Sequence, residues 1–313
     1  MVDLAQMFGA GEAEGFLGWA RGESAEGADI AVLGADTATP YASVGPYCAG
    51  GPAAIRAGAL TFSEGTDRMN FDLGGPVLPA GVTAVDLGDV AVDPADAPGN
   101  RAAIRAAVAG VRQAGAVPIV LGGDDSVPIP MLEALAGDGP VTVLQVDAHI
   151  DWRDSVDGER WGLSSTMRRA SEMDHVERIV QVGVRGMGSA GAQEYSDALD
   201  WGAEFVFGRE IARDGVQRAI EAVPKGARVA IAFDCDALDP AAMPAVIGRT
   251  AGGLSYAQAL DLIEGVAARA EIVAFDLVEF MPARDVDDIG AMTAAQLVAA
   301  VAGMIARQRV ADA

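Results

Sequence analysis

Short apolar runs rich in valine and isoleucine alternate along the chain with longer stretches whose apolar positions recur every three or four residues. The runs predict strands over 28–34, 83–87, 117–121, 141–146, 178–183, 203–206, 228–233 and 271–277. The longer stretches predict helices over 52–62, 100–114, 129–135, 164–172, 190–199, 210–222, 256–268 and 291–307. Pro52 opens the first helix, and Asn100 has the side chain of an N-cap for the second. Strands apolar on both faces and joined by helices form a parallel sheet covered on both sides. No linker, repeat or break in composition interrupts the alternation, so residues 1–313 are read as a single α/β domain with 1–27 as an N-terminal extension.

Two of the strand runs end in acid. Asp147-Ala148-His149-Ile150-Asp151 follows the run 141–146, and the two-residue period of a strand puts Asp147, His149 and Asp151 on one side. Taken alone, an aspartate after a strand is a turn residue or a helix cap. The run 229–233, however, ends in Asp234-Cys235-Asp236-Ala237-Leu238-Asp239-Pro240, where Asp234 and Asp236 share a side and Cys235 points to the core. In a parallel sheet, ligands bind beyond the carboxyl ends of the strands. Carboxylates gathered there repel one another and call for a cation, and oxygen donors with an imidazole suit a divalent metal.

Charge narrows the partners. The 45 acidic and 22 basic residues leave a formal charge of −23, which disfavours nucleic acid and anionic membranes. The only cysteines, Cys48 and Cys235, make no disulfide framework, so the reading is a protein of the reducing cytoplasm. The acidic start has no apolar core of a signal peptide, and no apolar stretch is read as reaching the roughly 20 residues of a membrane span.

Four blocks together resemble the ureohydrolases, the family of arginase and agmatinase, and most closely its agmatinase-like branch. They are Gly122-Gly123-Asp124-Asp125-Ser126, the stretch 147–151, the stretch 234–240, and Glu279 with Pro282 and Asp285. Gly51-Pro52-Ala53-Ala54-Ile55-Arg56 and Asp86-Leu87-Gly88-Asp89 add weaker matches, and the blocks run in order from about Ile30 to Arg307. The resemblance implies an α/β/α sandwich with a mostly parallel sheet, assembled as a homotrimer or homohexamer, and a site for two manganese ions, with nickel as the variant. By position, Asp147 and Asp234 would bridge both metals, Asp151 would bind one, and His149 and Asp236 the other. A metal-bridging hydroxide would attack a guanidinium carbon, with Glu279 holding the guanidinium and Asp151 accepting a proton, to release urea and an amine.

The chain departs from the family in three places. Asp125 stands where the family has a ligand histidine; it either ligates metal as a hard oxygen donor or caps the following helix. The family's proton-relay histidine is absent, with Trp161-Gly162 or Leu163-Ser164 in its place, and His175 reads as a surface residue. The loop after Asp239-Pro240 lacks the family's glycine-rich pattern, which leaves the substrate open. Trp152 either walls the substrate pocket or packs, and Arg168-Arg169 reads as a solvated helix face. The expectation is a metal-dependent amidinohydrolase of an agmatine-like guanidino compound. The alternatives are a hydrolase of guanidine or a biguanide, and a catalytically weak subunit of a hetero-oligomer.

Overall fold

The computed structural model describes residues 15–311 except Thr66, Arg68 and Ser189. Eight strands form one sheet: β1 (Ile30–Ala35), β2 (Ala84–Asp89), β3 (Val117–Gly122), β4 (Val141–Val146), β5 (Val176–Val182), β6 (Glu204–Val206), β7 (Arg228–Asp234) and β8 (Glu271–Val278). Their spatial order is β2-β1-β3-β8-β7-β4-β5-β6, and every pairing is parallel. All carboxyl ends therefore lie along one edge. The four central strands, β3, β8, β7 and β4, deliver the segments that begin at 123, 279, 235 and 147 side by side.

Alternation along each strand splits the core in two. Ile119 and Leu121 of β3, Val146 of β4 and Phe275 and Leu277 of β8 face one apolar cluster. Helices α1 (Gly51–Ala59), α8 (Tyr256–Ala267) and α9 (Ile289–Ala311) close that side. Val120, Val143 and Ala232 face the other cluster, under α2 (Ala97–Gln113), α3 (Pro128–Glu133), α4 (Thr166–Ala170) and α5 (Ala192–Trp201). This is the three-layer α/β/α arrangement expected from the strand pattern.

The two weaker sequence blocks meet each other. Arg56 of α1 donates through Nε to Asp86 Oδ2 of β2 at 2.7 Å and through Nη1 to Asp89 Oδ1 at 2.5 Å. Asp86 is fully buried and also accepts from the backbone N–H of Phe16 at 2.7 Å. Arg56 outweighs the burial of Asp86 and holds its carboxyl below the usual carboxylate range. This is an edge tie, and residues 20–22 bond to the outer side of β2, covering backbone that an edge strand would otherwise expose. The first fourteen residues of the expected extension lie outside the described residues.

Four expectations need correction. The helix α2 starts at Ala97 with Asp96 as its N-cap, because Pro98 suits a first turn; Asn100 sits inside it and binds the backbone of Asp93 and Ala38. The expected helix over 210–222 is two, α6 (Gly208–Asp214) and α7 (Gln217–Ala222), parted by Gly215 at φ +78°. α9 does contain an apolar run of span length, with a mean hydropathy of 1.8 over its window, but 78% of that window is buried within the protein. Arg169 is 2% exposed rather than solvated. Its guanidinium reaches Asp154 at 2.9 Å and lies 5.9 Å from the Trp161 ring, because the loop 152–165 folds back over α4.

Candidate metal centre

Two turns of the same design build the site. Beyond β4, the His149 N–H donates to Asp147 Oδ1 at 2.6 Å; beyond β7, the Asp236 N–H donates to Asp234 Oδ1 at 2.6 Å. Each aspartate turns its own chain and leaves its second oxygen for other work. The Ala148 N–H donates to Asp236 Oδ1 at 3.1 Å and stitches the two turns together. These turns, with Asp151 in the left-handed region at φ +49°, bring Asp147, His149 and Asp151 together. Simple strand alternation does not, because β4 ends at Val146, before all three.

The result is two overlapping donor groups. Asp147, His149 and Asp236 form one, and Asp125, Asp147 and Asp151 the other; within each, one ligand atom from every residue lies within 4.8 Å of the rest. Asp147 belongs to both. Asp234 is buried at the end of β7 and feels the charge of Asp236 and Asp147, though it completes neither group. Asp125 does not cap α3, whose N-cap position is Val127 with no side-chain cap. Its Oδ2 is buried without a hydrogen-bond partner, the state of an oxygen suited to a metal. The donor set of hard carboxylate oxygens with one imidazole fits a manganese-type cation.

Electrostatics point the same way. Burial, then the charges of Asp151 and Asp147, push the Asp125 carboxyl well above the usual range, and Asp151 and Asp234 are raised by burial and neighbouring carboxylates. Burial would lower His149, but the carboxylates of Asp147 and Asp236 outweigh it and push its pKa up to about 12. Its Nδ1 lies 2.9 Å from Asp236 Oδ2 and 3.5 Å from Asp147 Oδ1. Among the described residues, His149 makes the only ion pairs to these carboxylates.

Glu279 enters from β8 with φ +66° and donates its N–H to the Gly123 carbonyl at 2.7 Å. Gly123 must be glycine, since a Cβ there would lie 1.9 Å from the Asp36 carbonyl oxygen. Glu279 Oε1 accepts from the Tyr47 hydroxyl at 2.5 Å and from the Asp125 N–H at 2.9 Å. Burial pushes its carboxyl up to about 8, against the pull of those donors. Asp151 and Glu279 are thus two non-glycine residues in the left-handed region, a strain of about 1–3 kcal/mol each that collects at functional sites.

Three contributors were missed in the sequence. Gln145 of β4 donates through Nε2 to Asp147 Oδ2 at 2.7 Å and to Asp151 Oδ2 at 2.6 Å. A lone amide inside an otherwise apolar run was a visible signal. Arg185 donates to the carbonyls of Asp236, Ala237, Leu238 and Thr250 and braces the second turn. Tyr47 had no signal, lying 232 residues from Glu279. Trp152 is no pocket wall: it is buried in the core, 6.1 Å from the Trp201 ring, and donates to Gln181 Oε1 at 2.7 Å. Gln181 in turn donates to Gln145 Oε1, so Trp152 supports the site from behind.

At the positions of the missing relay histidine, Trp161 lies 5.1 Å from the Arg101 guanidinium, and Gly162 packs on the Tyr41 ring. His175 precedes β5, at the opposite edge of the sheet, and bonds the Leu132 carbonyl at 2.9 Å. Asp285 caps α9 through the N–H groups of Gly290 at 2.7 Å and Ala291 at 2.9 Å.

Residues 28–303 match the arginase family. The mitochondrial agmatinase of Gallus gallus is 34% identical over 286 residues, covering 88% of this chain and 80% of that protein. Arginase 1, mitochondrial, of Arabidopsis thaliana is also 34% identical, but the shared 194 residues are 61% of this chain and 55% of the plant protein, so little more than half of that relative is spanned. The proclavaminate amidino hydrolase of Streptomyces clavuligerus superposes with a TM-score of 0.81 at 25% identity, over 96% of this chain and 99% of that one. A match along most of the sequence, on the same parallel sheet, places this chain in the arginase, or ureohydrolase, family.

Proposed function

We propose that the chain is a metal-dependent hydrolase that splits a guanidino compound into urea and an amine. The observation that carries this is the pair of donor groups sharing Asp147, with the unpartnered Asp125 Oδ2 among them. Asp125, Asp147 and Asp151 would hold one divalent cation and Asp147, His149 and Asp236 the other, with Asp234 beside them. A cation pair in such a site supplies an activated water near neutral pH and offsets the crowded negative charge.

The remaining work falls to the chain's own groups. The hydrogen bonds of Glu279 both end on Oε1, which leaves Oε2 to accept from a guanidinium N–H. Tyr47 fixes the rotamer of that carboxylate. Asp151, steadied by Gln145, is placed to accept a proton released as water attacks. No histidine stands where the family's relay does, so the leaving amine takes its proton from another group or from solvent. Manganese is the expected metal, and a trimer or hexamer in the cytoplasm the expected setting.

Metal analysis and a urea-release screen test this reading. Protein purified with manganese should carry close to two divalent ions per chain and release urea from at least one of agmatine, guanidino acids, guanidine or biguanides. Asp125→Ala should lose one ion and most of the turnover. Protein that takes up no metal and releases no urea would instead fit the weak-subunit alternative.

A further inference from the structure

A pocket of about 380 Å³ opens beside the metal donors, with His149 on its inner wall. The stretch 184–188 forms one side and brings Gly188 so close that a Cβ there would sit 3.3 Å from His149 Cδ2. The far side carries Tyr195 and Phe207, 37% and 40% exposed, which are held by Phe205 between them. The ring centroids lie 5.2 Å apart for Tyr195–Phe205 and 6.0 Å apart for the stacked Phe205–Phe207 pair. Large aromatic faces left open beside a reaction centre are surfaces for a ligand.

The charge of this pocket runs against that of the chain. Its lining includes two arginines, Arg185 and Arg209, and no aspartate or glutamate, in a protein of net charge −23. Arg185 spends its N–H groups on backbone carbonyls and contributes charge only. Arg209 is exposed near the start of α6 and has no carboxylate partner among the described residues. The nearby acids are engaged elsewhere: Glu194 accepts from the Gly191 N–H at 2.9 Å, Glu210 pairs with Arg218, and Asp197 accepts from Gln193 at 2.8 Å. A free guanidinium fork at the mouth suits a carboxylate and repels an ammonium.

Resting on the guanidino-hydrolase reading above, we infer that the substrate is a guanidino acid with an apolar or aromatic body. Its guanidinium lies toward Glu279 and the metal donors, its body against Tyr195 and Phe207, and its carboxylate at Arg209. Agmatine, whose far end is an ammonium, fits this pocket poorly.

The test compares 4-guanidinobutanoate with agmatine, which match in length but differ in end charge, and adds 4-(guanidinomethyl)benzoate. On manganese-loaded protein, the acids should exceed agmatine in kcat/KM by at least about tenfold, the effect of one charge-assisted hydrogen bond. Arg209→Gln should erase that margin through KM with little change in kcat, and Arg209→Glu should reverse it. Phe207→Ala should raise KM for the benzoate more than for the butanoate. A wild-type preference for agmatine, or an acid-to-amine ratio unmoved by Arg209→Gln, overturns the assignment. If no compound yields urea, the hydrolase reading fails, and calorimetric binding still decides the pocket. Tighter binding of the acids that Arg209→Gln abolishes supports it, and equal binding of acid and amine overturns it.

Discussion

Replacing Gln145 with leucine tests how far the metal centre depends on its supporting amide. Leucine has nearly the same volume and suits the apolar strand, so the core around β4 should remain. The change removes the one donor shared by Asp147 Oδ2, at 2.7 Å, and Asp151 Oδ2, at 2.6 Å. Each bond is charge-assisted and worth about 1.5–3 kcal/mol in isolation. The two are not additive, because the freed carboxylates can reorient toward a cation. Partners behind a ligand typically cost about 10–100-fold in metal affinity when lost, or about 1.4–2.7 kcal/mol. Titrating chelator-stripped Gln145→Leu with manganese against a competing indicator should show a loss in that range. Gln181→Leu should cost less, since Gln181 bonds Gln145, the Ile150 carbonyl and Trp152 but neither aspartate directly. Wild-type affinity in Gln145→Leu would refute the reasoning and make the amide a bystander.

Tyr47→Phe removes the hydroxyl from Glu279 and should lower kcat/KM about 10- to 100-fold without unfolding the chain; an unchanged rate would free Tyr47 of any role. Arg56→Met strips buried Asp86 of its main partner and should cost about 3–5 kcal/mol in denaturant titrations, while activity per folded molecule stays near normal. Gly248→Val places methyl groups where a Cβ alone would lie 3.4 Å from His149 Cε1 and 3.7 Å from Asp236 Oδ2, so metal uptake should weaken while the melting temperature hardly moves. Chelator-stripped protein should lose stability as pH rises from about 5 to 9. Glu279 is pushed up from 4.5 to about 8 and His149 from 6.5 to about 12. Groups that hold protons more tightly when folded contribute stability that is full below their unfolded pKa and fades as pH climbs through the folded one. Thermal melts that stay flat or rise over that window, or that manganese fails to rescue at the alkaline end, would count against this account.

The strand pattern carried the layers of the fold because a strand buried on both faces reads as an unbroken apolar run, whatever its neighbours. Element ends were less secure. Asn100 carries a capping side chain, but Asp96 and Pro98 start the helix earlier, and a single glycine at 215 splits the expected helix over 210–222. The acidic blocks at 147–151 and 234–236 were legible as donors that could hold a metal, because like charges at neighbouring strand ends have few other uses. Strand alternation does not make them converge: β4 ends at Val146, and Asx turns with a left-handed Asp151 do the aiming.

By itself, then, the sequence determined which strands end in acidic blocks that could hold a metal, since both follow from residue type and local period. Only the tertiary structure decided what stands around them. Trp152 went to the core and Tyr47 came to the site. Asp125 lost its bland role as a cap and kept an unpartnered oxygen, and Arg209 joined two aromatic rings at the pocket mouth. Those outcomes depend on which distant segments are packed together, and a loop's sequence does not encode the neighbours that the rest of the chain brings to it.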